Sequence, residues 1–170
     1  MKYFFLLLFI TIFSCKSTQE KIQVDNVFLE ADKVEIWSYA NREIWHIENV
    51  EDSDSKRMAN LEIENGKLNI DLINVKEKIK LTKKEVAEIY KILFSSKICK
   101  YESVAACYQP RHLIVFFDSE EKVINALEIC LSCIQIQSIN NFNYPDLCEQ
   151  KMDKLEKLFK SFGINYYDEK

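Results

Sequence analysis

A chain of 170 residues that is 48% hydrophobic and 12% aromatic can bury one sizeable core, which excludes a disordered tail or linker. Its formal charge of −4, with arginine only at Arg42, Arg57 and Arg111, lacks the clustered positive charge that non-specific nucleic-acid binding requires. No nucleic-acid partner is therefore expected.

The chain opens MKYFFLLLFITIFSCKSTQEK. Lys2 is a short positive segment, and Tyr3 to Phe13 is an apolar run broken only by Thr11. That run falls short of the roughly 20 residues a membrane-crossing helix needs and suits the apolar segment of a secretory signal. Ile12-Phe13-Ser14-Cys15 resembles a bacterial lipobox, with a small residue before the cysteine and an apolar residue three before it. The bulky Phe13 departs from the strict form of that motif. The resemblance implies cleavage after Ser14 and lipidation of Cys15, and several acyl chains together anchor stably where one does not. Residues 1–14 then form a signal peptide, 15–23 a lipidated polar tether and 24–170 a single domain. The implied address is the bacterial cell envelope. Lys16, where an aspartate would signal inner-membrane retention, leans the expectation toward the outer membrane.

Val24 to Tyr39 reads as strand. In Lys33–Tyr39, Val34, Ile36 and Ser38 point one way while Glu35, Trp37 and Tyr39 point the other. Glu43–Val50 is a second candidate strand, and the charged run 51–60 is a loop. Leu61–Glu64 and Lys67–Ile73 flank Asn65-Gly66, a dipeptide suited to a type I′ hairpin turn because both residues tolerate positive φ. Lys78–Leu81 extends the sheet. Thr82-Lys-Lys-Glu85 is a capping box opening a helix to Leu93 or Phe94, with Val86, Ile89, Tyr90 and Leu93 on one face.

Leu113–Asp118 is a short, strongly apolar strand, Ser119–Lys122 a turn, and Val123–Gln137 the returning strand. Pro145 suits a first helical residue. Leu147, Met152, Leu155, Leu158, Phe159 and Phe162 follow at helical spacing, and Gly163 falls where a C-cap glycine belongs. The expected fold is α+β: an antiparallel β-sheet of about five to seven strands with two main helices packed on one face.

Cys107-Tyr-Gln-Pro-Arg-His112, the strand ending in Asp118, Ile129-Cys-Leu-Ser-Cys133 and Gly163-Ile-Asn-Tyr166 together resemble a family of small bacterial lipoproteins. Leu131 stands where that family has an aromatic residue, and Leu113 where it often has glycine. The resemblance implies an exported, lipid-anchored protein and brings no known activity with it.

Besides Cys15 there are five cysteines, Cys99, Cys107, Cys130, Cys133 and Cys148, so at most two intramolecular disulfides can form. Export through an oxidising space favours such bridges. With Glu120-Glu121 as the turn, Cys130 falls opposite Arg111 and Cys133 opposite Tyr108, next to Cys107. Cys107–Cys133 is then one candidate bridge, and Cys130–Cys148, stapling the last helix to the sheet, another. A second reading gathers Cys107, His112, Cys130 and Cys133 as a zinc set of Cys₃His type. It needs a turn at Leu131-Ser132, where the pattern reads as strand. A redox reading of Cys130-x-x-Cys133 wants a helix starting at the motif, and alternating Ile134–Gln137 does not supply one.

Arg111 is a candidate contact for a ligand or partner. Arg111 and His112, with Asp118 and Glu128 nearby in sequence, could form an acid–base group. A hydrolase using Arg111, His112 and Glu128 is a distant reading, but the spacing matches no known catalytic motif. Trp37, Tyr39 and Trp45 read as core before they read as a binding face. The sequence points first to a non-enzymatic, lipid-anchored envelope protein that is a binding or structural module, with a protein or small-molecule partner and no cofactor. The alternative is a zinc-binding or thiol-redox lipoprotein using the Cys107–Cys133 region.

Overall fold

The structure, a computed structural model, describes residues 27–40, 61–70, 72–99, 108–140 and 146–167. The expected signal and tether, the candidate strand Glu43–Val50, the expected loop 51–60, Cys107 and Pro145 lie outside the described residues.

Its centre is β5 (His112–Phe117), in which all six residues are buried. A strand covered on both faces carries no polar side to alternate with, and HLIVFF reads as a continuous apolar run for that reason. On one side β5 pairs with β1 (Lys33–Tyr39), which pairs in turn with β4 (Val75–Lys80). On the other it pairs with β6 (Val123–Cys130) and then β7 (Gln135–Ser138). The sheet order is β4-β1-β5-β6-β7, and every pairing is antiparallel. A separate hairpin, β2 (Ile63–Glu64) and β3 (Lys67–Leu68), brings the strands among the described residues to seven, within the expected five to seven.

Helices α1 (Val27–Glu30), α2 (Lys83–Phe94) and α3 (Glu149–Phe162) cover one face. Their Phe28, Ile89, Leu93, Met152, Leu155 and Phe159 pack on Val34, Ile36, Ile114, Phe116, Leu127 and Ile129 of the sheet. Trp37, Tyr39, Leu113, Val115 and Phe117 point the other way into a second core, roofed by Leu61, Ile63, Leu68 and Ile70. The alternation expected in β1 is therefore present, and both of its faces are apolar because both are covered. The chain is α+β with its main helices on one face.

Val27–Glu30 is helical where strand was expected. Phe28 is the reason: its ring meets Tyr90, Phe94 and Phe116 edge-on, at 5.6, 6.1 and 4.8 Å between centroids. An extended backbone would give up that aromatic cluster, worth more than a short stretch of strand propensity.

Local chemistry sets most of the remaining boundaries. The Thr82 hydroxyl accepts from the Glu85 amide at 3.3 Å, and the Glu85 carboxylate accepts from the Thr82 amide at 2.6 Å. Asn65 and Gly66 take φ of 52° and 74°, as a type I′ turn demands. Gly163 takes φ 103°, and the next amide, from Ile164, reaches back to the Phe159 carbonyl at 3.0 Å.

Helix α3 departs from expectation at its start, because its N-cap is Cys148, three residues past Pro145. Cys148 is bonded to Cys99. Lys151, buried in the first turn, donates to the carbonyls of Leu93 at 2.7 Å and Asp146 at 2.6 Å. That ammonium caps the C-terminal end of α2 from inside the protein, and burial pushes its pKa below the usual lysine range.

Candidate ligand cavity

The stretch Glu128–Gln137 is not one strand. β6 ends at Cys130, residues 131–134 turn, and β7 begins at Gln135 opposite Cys130. The turn needs a left-handed residue, and Ile134 takes that place at φ 56°. A β-branched side chain in this region is strained. Cys130 and Cys133 are bonded to each other across the turn, with their Cα atoms 5.1 Å apart. Their facing strands therefore do not decide their partners, as the single-strand reading assumed.

Both expected bridges are corrected here. Cys133 pairs with Cys130 in place of Cys107, and Cys148 pairs with Cys99 in place of Cys130. The Cys107, His112, Cys130, Cys133 set changes accordingly. A disulfide sulfur is not a thiolate, so in this oxidised form two members of the proposed zinc set bind each other. Cys133 Sγ accepts the Gln109 amide at 3.1 Å, which ties the turn to the residues leading into β5.

Between that turn and α3 lies a cavity of about 320 Å³. Leu131, Ser132 and Ile134 form one wall, and Glu149, Met152, Asp153 and Glu156 of α3 form the other. Gln109, Arg111 and His112 line it from β5 and its approach, and Tyr167 from the C-terminal stretch. Each wall is held by a disulfide: Cys130–Cys133 closes the turn, and Cys99–Cys148 fixes the first turn of α3.

His112 is 2% exposed. Its Nε2 lies 3.1 Å from the Tyr166 carbonyl, so Nε2 carries the proton and donates. That carbonyl is itself held in place by Glu77, whose carboxylate accepts from Ser38 Oγ at 2.7 Å and from the amides of Asn165 and Tyr166 at 3.1 Å. Burial acts to raise the Glu77 pKa, and these hydrogen bonds outweigh it and hold the carboxyl below its usual range. The His112 ring packs against Phe159 and Tyr167, with centroids 5.7 and 4.9 Å away.

Burial lowers the His112 pKa to about 4, against weaker support for the charged form from the Tyr166 carbonyl and Glu77. The ring is neutral at pH 7, and Nδ1 is a lone-pair acceptor. Nothing among the described residues donates to it. Burial is also the first cause of a raised Tyr167 pKa, with Glu156 and Glu77 adding to it, so the phenol keeps its proton and donates to the Glu156 carbonyl at 3.2 Å.

The imagined acid–base group does not assemble. Glu128 lies on the opposite face of the sheet from the His112 ring, where it accepts from Tyr39 Oη at 2.5 Å and Tyr108 Oη at 2.9 Å. Asp118 is at the far end of β5, closing its turn. Arg111 does line the cavity, and its Nη1 donates to the carbonyls of Gln109 at 3.3 Å and Pro110 at 3.1 Å. Trp37 and Tyr39 are core, as expected, while Trp45 lies outside the described residues.

Sequence reasoning missed the pairing of Cys99 and the part played by α3. Glu149, Asp153 and Glu156 follow one another at helical spacing on a face that the apolar pattern marks only as solvent-facing. Nothing in one sequence distinguishes such a face from a cavity wall.

No protein-family model, no curated protein and no solved structure matches the chain. Among the described residues, no helix is long and apolar enough to cross a membrane.

Proposed function

We propose that the chain is a lipid-anchored protein of the bacterial cell envelope, most consistent with the outer membrane, whose single domain is a non-enzymatic module binding a small molecule in the cavity beside His112. The observation that carries the binding reading is the cavity itself, held open between two covalently fixed walls. A preformed concave site in which polar groups converge beside apolar side chains such as Leu131, Ile134 and Met152 suits a small molecule. Two disulfides also suit an exported protein. The anchor rests on residues 1–15 and on the resemblance carried by residues 107–133 and 163–166.

The non-enzymatic part of the reading is supported by the surroundings of His112. Its one hydrogen bond is to a backbone carbonyl, and no nucleophile among the described residues is within hydrogen-bonding reach of it. One contact favours the thiol-active alternative: the Gln109 amide directed at Cys133 Sγ would stabilise a thiolate there on reduction. Against it, Cys130 and Cys133 are 1% and 0% exposed, closed to a partner thiol.

The test takes full-length protein from membranes. Intact-mass analysis is run with thiol alkylation before and after reduction, together with metal analysis and lipid identification on the N-terminal peptide. The reading expects a triacylated Cys15, two bridges and no bound metal. An unlipidated Cys15 removes the anchor, and bound zinc with unbridged Cys130 and Cys133 replaces the binding module with the metal alternative.

A further inference from the structure

Resting on the cavity's being a binding site, we infer that its ligand is a small organic amine, whose N–H donates to His112 Nδ1 and whose positive charge is met by Glu149 and Asp153. The inference follows from what the lining can accept. His112 offers a lone pair with no donor among the described residues, and a buried acceptor left without one is destabilising.

Among the described residues Glu149 and Asp153 make no ion pair, whereas Glu156 is paired with Lys160. Among the described residues Arg111 is the one cation of the lining, and its Nη1 donates to backbone carbonyls. The ligand-facing chemistry is thus mostly acceptors, and an ammonium is a group of donors only. A phosphate or carboxylate ligand would find Arg111, but also a lone pair and two carboxylates with no ion pair among the described residues.

Size and apolarity restrict the class further. A cavity of about 320 Å³ is at the small end for ligand sites, and Leu131, Ile134 and Met152 supply hydrocarbon to bury a short stem. A bare metal cation fits less well, since among the described residues no three His, Cys, Asp or Glu side chains converge as a metal group. Nδ1 is closed to bulk water, so a donor reaches it by displacing part of the lining. The face of Tyr167 is not available for the cation, because Lys160 Nζ already sits 4.7 Å above it.

The experiment uses full-length, lipidated protein in detergent micelles, labelled with nitrogen-15 at histidine. It is titrated in turn with putrescine, the neutral polyol sorbitol, inorganic phosphate and zinc chloride. Saturable binding of putrescine that shifts the His112 Nδ1 resonance, and that weakens at least tenfold in Glu149→Gln/Asp153→Asn, supports the inference. Both substitutions are at exposed positions, so loss of the fold does not confound them.

Sorbitol or phosphate binding at His112 in preference to putrescine overturns the amine while leaving the binding site standing. A zinc-induced shift at Nδ1 in preference to the amine overturns it in favour of a metal. No response at His112 to any probe, with the cavity holding only water, overturns the amine and removes the support for the binding reading as well. Putrescine binding that leaves His112 Nδ1 unmoved or survives the double substitution also overturns it, since the contact is then elsewhere.

Discussion

The two ends of β6 make the same kind of turn by opposite means. At the start, the connection from β5 puts Glu121 at φ 60°; at the finish, the connection to β7 puts Ile134 at φ 56°. The first turn is closed by ordinary polar chemistry. Asp118 Oδ1 accepts the amides of Glu120 and Lys122 at 2.9 Å each, and the Asp118 amide reaches the Lys122 carbonyl at 2.9 Å. The second turn has no such side chain. It is closed by a disulfide and an amide–sulfur contact, and it holds a β-branched residue where one is least welcome. The orphan acceptor of His112 and the cavity lie at that same end. The plain end bends local rules only at one exposed glutamate, whereas the other breaks them with a β-branched residue, and such breaks concentrate where a protein has more to do than fold.

The largest test of this contrast is covalent. Removing the Cys99–Cys148 bridge by Cys99→Ala/Cys148→Ala releases a loop of sequence separation 49. The chain-entropy relation gives a loss of about 4 kcal/mol in urea unfolding. Cys130→Ala/Cys133→Ala, with a separation of 3, should lose only about half as much. Equal losses would mean that the local bridge supports more than its own turn.

Acidity should act at the cavity end next. The folded His112 pKa of about 4 lies below the unfolded value of 6.5, so the unfolded chain binds more protons between them. The stabilisation is complete above pH 6.5 and is lost as pH falls toward 4, by on the order of 3 kcal/mol. Glu77, Glu156 and Arg111 act on the same ring and shape the curve without reversing it. His112→Phe should flatten that part of the urea-unfolding profile; an unchanged slope would trace the acid sensitivity to other groups.

At the plain end, the Gly66 carbonyl accepts from the Val123 amide at 2.8 Å. A Cβ there would meet the Lys122 Cβ at 2.7 Å, with φ already at 74°. Gly66→Ala should lower stability by about 2 kcal/mol, from backbone strain and the displaced hairpin together. A neutral result would show that the β2–β3 hairpin is free to shift. The smallest effect belongs to Glu121→Gly, which relieves a left-handed glutamate at the expense of an exposed ion pair with Lys33 and should stabilise by about 0.5 kcal/mol. Loss of stability there would mean that the ion pair outweighs the backbone.

How far residues alone carry the structure differs along the chain. The pairing of β5 with β6 was legible: the expected register continues directly into His112 opposite Ile129 and Phe116 opposite Asn125. It arises differently from the expected two-residue turn, because a longer loop through Glu121 is compensated by an irregularity between Phe116 and Phe117. The hydrophobic pattern constrains which face each residue takes, so two routes to one register look alike in sequence. The turn at 131–134 was not legible, since LSCI contains no glycine, proline or asparagine and continues the alternation of its flanks.

What the sequence determined by itself is everything set by contacts a few residues apart. These are the capping box at Thr82, the Asn65-Gly66 turn, the Gly163 cap, the apolar central strand and the α+β class. Their physical causes are backbone geometry and periodic burial, both of which are written in neighbouring residues. Tertiary structure alone decided which cysteine meets which, that Phe28 turns its segment helical, that Glu128 and His112 fall on opposite faces, and that an acidic helix face becomes a cavity wall. Each of these depends on residues far apart in the chain arriving at one place, and neither spacing nor composition records where a chain returns.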